Sequence, residues 1–356
     1  MKYRKATIYA QTDATTAKTE PIDLDFTDVI SRLQIKFNST NNGHTPTAHP
    51  AKQISKVEIV DGSDVLLSLS GQQIEALMFY EYGKGRNYEI EYRNDCENRL
   101  VLDLLFGRKL YDPELALDPR KYKNPQLKIT HNKASGGSAP DAATLEVFAD
   151  LFDEKVVTPV GFLMNKEFYS YTAGASAANE YIDLPNDYPI RRILVEALKA
   201  DSWWDNIVSE IELDEENKKR LPISQDAYDL MQLAMTNYGM YMEGLVGTMP
   251  AVAALSVYVT PAEVPNVAIA GIGSNSNPFI NAEKVGGYIE LNTTAVVAWR
   301  ALLAGTIPHG ILPLDLGDLD DMADWFDVTT KGKIKLRIKA GASAAVKVTL
   351  QQLRKY

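Results

Sequence analysis

Ile22-Asp23-Leu24 recurs as Ile182-Asp183-Leu184, and the recurrence continues in order along the chain. Ile30, Arg32 and Leu33 return as Ile190, Arg192 and Ile193, and Ser55-Lys56-Val57-Glu58-Ile59 resembles Ser209-Glu210-Ile211-Glu212-Leu213. Leu67, Leu69 and Ser70 match Leu221, Ile223 and Ser224, and Tyr82-Gly83 matches Tyr238-Gly239. Late in each half, Leu127-Lys128-Ile129 resembles Ile334-Lys335-Leu336, and Thr144-Leu145 resembles Thr349-Leu350. Each match is weak alone; their shared order is not. A repeat this long is a duplicated domain, because each copy can bury its own core. The spacing widens after Tyr82, so the second copy carries an insertion, and pairing Tyr88 with Tyr288 places it at 240–287. The expected division is an N-terminal arm at 1–20, a first copy at 21–155 and a second at 156–356.

Inside each copy the apolar period is mostly two. Leu33, Ile35 and Phe37 alternate with Arg32, Gln34 and Lys36, and Val57 and Ile59 with Lys56 and Glu58, as in half-buried strands. Val65, Leu67 and Leu69 mark a further strand, and Asp61-Gly62 before it signals a hairpin. The period then changes. Ser70 with Gln73 forms a capping box, Ile74, Leu77, Met78 and Tyr82 follow at helical spacing, and Gly83 sits where a helix stops. Ser224, Ala227, Leu230, Met231, Met235, Tyr238 and Gly239 repeat the design without the complete box. Later strands are expected at 100–106, 127–131 and 144–149. About eight short alternating strands per copy, with one helix, favour a sandwich over a buried parallel sheet. The fold class expected is all-β with short helices: two tandem jelly-roll β-sandwiches.

The 356 residues carry a net charge of −10, so no global basic field is available for nucleic acid. Basic residues gather at the ends, as Lys2, Arg4 and Lys5 and then Lys331, Lys333, Lys335, Arg337, Lys339, Lys347, Arg354 and Lys355. The single Cys96 excludes an intrachain disulfide framework. Gln11, Thr12 and Asp13 follow the first basic residues, which argues against a cleaved signal peptide, and no run reaches the ~18 apolar residues of a membrane span.

Chemistry is sparse. His44, His49, His131 and His309 fall in no metal-binding spacing, and His44 and His49 read as loop residues. Gly271-Ile272-Gly273 lacks the third glycine of a dinucleotide loop, since Ser276 stands there, and a strand ending in a turn is favoured. Asp315, Asp318, Asp320, Asp321, Asp324 and Asp327 do not space as a calcium loop. Interleaved with Leu316, Leu319, Met322 and Trp325, they read as the solvated face of a short amphipathic segment. Trp203-Trp204 fits either an exposed ligand platform or an anchor into a neighbouring subunit, and Tyr171 is a further anchor candidate. No catalytic signature is present, so no catalytic, cofactor or metal residue is assigned and no enzyme is expected.

Over nearly the whole chain, with 22–37, 54–82, 182–195 and 221–239 as the carrying passages, this pattern resembles the double jelly-roll major capsid proteins of tailless icosahedral viruses. That family includes adenovirus hexon and the coat proteins of phages with an internal membrane. The resemblance implies a virion structural protein made in the host cytoplasm. Three chains would form a pseudo-hexagonal capsomer that meets neighbouring capsomers and penton or minor capsid proteins. It implies no specific nucleic-acid site, and it places the basic termini at an inner surface suited to anionic lipid. The competing expectation is a two-domain carbohydrate- or receptor-binding protein; a bicupin enzyme would need clustered histidines.

Overall fold

The computed structural model describes residues 2–85, 88–249, 252–272, 279–281, 285–293 and 297–356. The first half forms Tyr3–Asp13 (β1), Lys18–Asp23 (β2), Ile30–Asn41 (β3), Ile54–Asp61 (β4), Asp64–Leu69 (β5), helix Gly71–Tyr82 (α1), Ile90–Tyr92 (β6), Glu97–Leu105 (β7), Pro125–His131 (β8) and Pro140–Phe152 (β9). The second half begins with Gly161–Thr172 (β10), Asn179–Asp183 (β11), Ile190–Ala197 (β12), helix Trp204–Ile207 (α2), Val208–Glu215 (β13), Arg220–Asp226 (β14) and helix Ala227–Tyr238 (α3). An excursion follows, with Tyr241–Met249 (β15), Val252–Tyr258 (β16), Pro261–Ile272 (β17), Phe279–Asn281 (β18), Tyr288–Thr293 (β19) and Val297–Pro308 (β20). Ile311–Asp315 (β21), Ile334–Ala340 (β22) and Ala345–Lys355 (β23) complete the chain.

The two halves have one topology. In the first, strands order as β1-β9-β3-β7 and β2-β8-β4-β5; in the second, as β10-β23-β12-β21 and β11-β22-β13-β14. Replacing each strand by its counterpart converts one pair of sheets into the other. This is the jelly-roll order, present twice. The inner faces supply the cores: Leu33, Ile35 and Phe37 of β3 are fully buried, while Arg32, Gln34 and Lys36 on its other face are partly open. Burying such apolar side chains contributes roughly 1.5–3 kcal/mol each, which fixes the face that β3 turns inward.

The hairpin forms as expected: Asp61 pairs with Asp64 across Gly62-Ser63, and Gly62 takes φ of 62°, a value glycine adopts without a Cβ clash. The capping box also forms, with the Ser70 hydroxyl accepting the Gln73 N–H at 3.2 Å and Gln73 Oε1 accepting the Ser70 N–H at 2.8 Å.

Several expectations need correction. Residues 3–13 are no free arm; β1 pairs antiparallel with β9 from Tyr3↔Phe152 to Asp13↔Thr144, because its backbone groups complete that sheet. The N-cap of α3 is Asp226, not Ser224, since β14 continues through Ser224 while pairing with Glu212. Residues 316–326 form turns rather than a helical segment. There, aspartate carboxylates accept nearby backbone N–H groups: Asp318 that of Asp320, Asp324 that of Asp318 and Asp321 that of Ala323. Short acidic side chains compete with helical hydrogen bonding in this way. The insertion extends past Gly287 to Pro308, and it is more than loops and a hairpin. It forms the sheets β17-β20-β15-β6 and β16-β19-β18 around Leu245, Val257, Ile289, Trp299 and Leu303. The strand β6 of the first half joins this excursion in parallel, Ile90 opposite Leu245.

Candidate assembly interface

The two sandwiches meet edge to edge. β5, last in one sheet of the first module, lies parallel to β10 of the second, with Ser68 opposite Lys166, and merges two four-stranded sheets into one of eight. Leu66, Leu67, Ser68 and Leu69 are buried in consequence, so β5 shows no clean alternation.

Helix α1 covers the outer face of the second module's β12 and β23. Its Gln73 Nε2 donates to Glu196 at 2.8 Å and to Glu167 at 3.0 Å. Its Tyr80 hydroxyl donates to the Ile311 carbonyl at 2.6 Å, and its Glu81 receives Arg191 at 2.6 Å and Arg192 at 3.0 Å. These charges are almost fully buried. Burial alone would raise the Glu81 pKa, but Arg192 and Arg191 overcome it and hold the carboxyl below its ordinary value. No residue of α1 is exposed.

Each module also carries its own arginine knot. Arg32 of β3 reaches Asp150 at 2.7 Å, Asp103 of β7 at 2.8 Å and the Tyr82 hydroxyl at 3.5 Å. Its counterpart Arg192 of β12 reaches Asp315 of β21 at 2.6 Å and the Tyr238 hydroxyl at 2.9 Å. The tyrosine closes each helix and the acid comes from the same neighbouring strand, so the knot belongs to the repeat. Glu81 on Arg192 is the extra partner, and it comes from the other module.

By the same correspondence, one site of this kind is left open. The counterpart of α1 is α3, where Tyr228 is 58 % and Leu233 48 % exposed. The counterpart of β5 is β14, whose residues are exposed or half-buried throughout. The counterpart of the covered β12 face is the β3 face, which carries Gln34, Lys36, Val101 and Phe148 beside cavities of about 390 and 620 Å³. β1, the counterpart of β10, is an open edge. The molecule thus presents one copy of the knob and one copy of the socket, on opposite modules.

The candidate anchors divide. Trp203 is 45 % exposed, but Trp204 is 1 % exposed, because α2 turns it under the excursion, where its Nε1 donates to the Gly310 carbonyl at 2.8 Å. Tyr171 is half-buried against its own module's core. Nor is the basic run near the C-terminus a free surface. Lys339 and Arg337 of β22 face Glu210 and Glu212 of the adjacent β13, Lys331 meets Glu215, Lys347 meets Glu167 and Glu196, and Arg354 meets Asp64. Period two put the bases on one strand and the acids on its neighbour, out of sight of any local reading.

Of the histidines, His44 is exposed in its loop while His131 packs buried against Phe37, its pKa lowered by desolvation. His49 and His309 are both buried, and their rings meet at 4.6 Å beside Glu75. Neither Glu75 nor this meeting was visible in the sequence, since three distant segments supply the residues. Gly271 lies on β17, whereas 273–278 of the rejected glycine motif fall outside the described residues. Among the described residues no helix is long and apolar enough to cross a membrane.

No protein-family model matches the chain, and no curated protein does. Solved structures do. The chain is similar to the major capsid protein of bacteriophage PM2 at 9 % identity, over 99 % of this chain and 98 % of that one, with a TM-score of 0.58. Against the atomic structure of Sulfolobus Turreted Icosahedral Virus the figures are 12 %, 100 %, 92 % and 0.62; against the PBCV-1 virus capsid they are 10 %, 98 %, 93 % and 0.59. With its two jelly rolls in the same chain order and nearly full mutual coverage, the chain has the double jelly-roll fold of these viral capsid subunits.

Proposed function

We propose that this protein is a major capsid protein whose homotrimer forms a pseudo-hexameric capsomer of an icosahedral virus shell. The observation that carries the reading is the unmatched knob and socket. Within one chain, α1 and β5 of the first module dock on β10, β12 and β23 of the second. Repeating that junction between chains sets α3 and β14 of one copy on β1, β3 and β9 of the next. Three copies close a ring of six similar wedges, in which every such junction is filled. The chemistry of the repeated junction is complementary: Gln73 on Glu196 in the internal version becomes Asp229 facing Lys36 in the external one.

The modules proposed are those at 21–155 and 156–356, with 1–20 assigned to the first sandwich rather than to an arm. The role is structural, without catalysis, in a virion assembled from protein made in the host cytoplasm. Neighbouring capsomers and penton or minor capsid proteins are the further partners. Contact of the termini with an internal lipid layer has less support, because most of the basic residues near them are already in ion pairs.

Native mass measurement tests the reading. The wild-type chain should be a trimer, and Leu233→Asp should be a folded monomer. A wild-type chain that stays monomeric at all concentrations would overturn it.

A further inference from the structure

We propose that His49, Glu75 and His309 form a buried site for one divalent transition metal of the zinc type, pinning the base of the excursion to the first module. The three side chains offer ligand atoms that all lie within 4.8 Å of one another. They are 3 %, 5 % and 2 % exposed. Two imidazoles and a carboxylate are the donor set that zinc and its neighbours favour.

Each ligand comes from a different element. His49 is the N-cap of the 3-10 turn Pro50–Gln53, Glu75 lies on α1, and His309 follows β20. Supporting contacts of the kind that orient ligands are present. Gln72 holds His309 Nδ1 at 3.1 Å and the Tyr241 hydroxyl donates to Glu75 Oε1 at 3.3 Å, whereas the proton between His309 Nε2 and Glu75 Oε2, 2.9 Å apart, is the one a metal ion would displace. His49 Nε2 lies 3.1 Å from the Thr260 hydroxyl, which donates to Glu243 at 2.6 Å. His49 Nδ1 accepts the Ala51 N–H at 3.1 Å, so metal capture by either ring nitrogen gives up one of these two bonds.

The repeat acts as an internal control. The counterpart of Glu75 in α3 is Met231, buried at 5 % exposure. An apolar side chain therefore satisfies this helix position in the same fold, so the carboxylate of Glu75, held by the Tyr241 hydroxyl and facing His309, is a feature of this site and not of the repeat. The backbone adds a second sign: Ile307, His309 and Gly310 take φ of 52°, 53° and 71°. A left-handed β-branched residue and a left-handed histidine either side of Pro308 are costly, and such strain persists where surrounding structure demands an orientation. The His309 ring that this segment carries faces His49 and Glu75.

The site is independent of the capsid reading and is tested on the full purified chain after chelator dialysis. Titration with Co²⁺ should show one equivalent bound, with the visible ligand-field absorption of a low-coordinate nitrogen–oxygen site, and Zn²⁺ should displace it. His44→Gln should leave the spectrum unchanged. His309→Gln and Glu75→Gln, which keep hydrogen-bonding capacity and are checked for folding by circular dichroism, should abolish it. Gln72→Ala should weaken binding by about 10–100-fold through loss of support to His309. Absence of a stoichiometric Co²⁺ site in the wild-type chain, or retention of the spectrum in the folded double variant His309→Gln/Glu75→Gln, overturns the proposal.

Discussion

Helices α1 and α3 are equal in length, end on matching Tyr-Gly pairs and occupy the same place in two copies of one fold, yet their surroundings differ. No residue of α1 is exposed; α3 buries only Ala227, Leu230 and Met231. The first helix has a second module to lie on, and the second has none among the described residues of its own chain. The surface that α1 buries inside the chain thus corresponds to one that α3 leaves open. Sequence divergence follows this division. Glu81, which neutralises two buried arginines, corresponds to Asn237, and Leu77 at 7 % exposure corresponds to Leu233 at 48 %.

The largest effect should come from Glu81→Ala. Removing the carboxylate leaves Arg191 and Arg192 buried with fewer partners, at a cost of about 3–5 kcal/mol. Asn237→Ala should cost the isolated monomer under about 0.5 kcal/mol and be felt in trimer dissociation. Urea unfolding of both, beside sedimentation, separates the two outcomes. Equal losses would break the comparison.

The apolar pair should divide in the same way. Leu77→Ala leaves a cavity costing about 2–5 kcal/mol in denaturant unfolding, whereas Leu233→Ala should leave the monomer nearly unchanged.

A pH effect with an upward-shifted carboxyl should appear where the excursion meets the second module. Glu263, whose carboxylate accepts the Trp204 N–H at 3.0 Å, has its pKa pushed up to about 7, mainly by burial, from an ordinary 4.5. The folded state therefore holds this proton more tightly than the unfolded state does. Its contribution is fully present below about pH 4.5 and is lost as pH rises to about 7, by about 3 kcal/mol in all. Glu263→Gln should flatten that slope in thermal unfolding followed from pH 4.5 to 8; an unchanged slope would assign it to other groups.

The smallest contrast lies in the caps. Ser70→Ala removes a reciprocal capping box and should cost about 1 kcal/mol. Asp226→Ala removes a side chain that makes no cap hydrogen bond and should cost a few tenths.

Local pattern made much of this legible. Ser70 to Gly83 reads as a capped helix because the capping and stop signals lie within the element, and Arg32 matches Arg192 because both strands keep the same face inward. The late matches slipped. Ile22 faces Leu127 in one module and Ile182 faces Leu336 in the other, so Leu127 corresponds to Leu336 rather than to Ile334. Leu33 opposes Ala149 and Ile193 opposes Leu350, so Leu350 answers to Ala149 and not to Leu145. Both slips are even-numbered, which leaves each strand's faces unchanged and so leaves no trace in hydrophobic pattern.

The amino-acid sequence by itself determined the duplication, the two-faced strands and the capped first helix, because period, caps and turn residues act over a few neighbouring positions. Only the tertiary structure decided that most of the C-terminal bases are spent in ion pairs, Arg337 and Lys339 on β13 among them, that Trp204 is buried, and that His49, Glu75 and His309 converge. It also decided that α3 and the β3 face stay open while their counterparts are filled. Those outcomes depend on pairing between residues far apart in the chain, and a contact of that kind is set by which edges and faces the whole fold brings together.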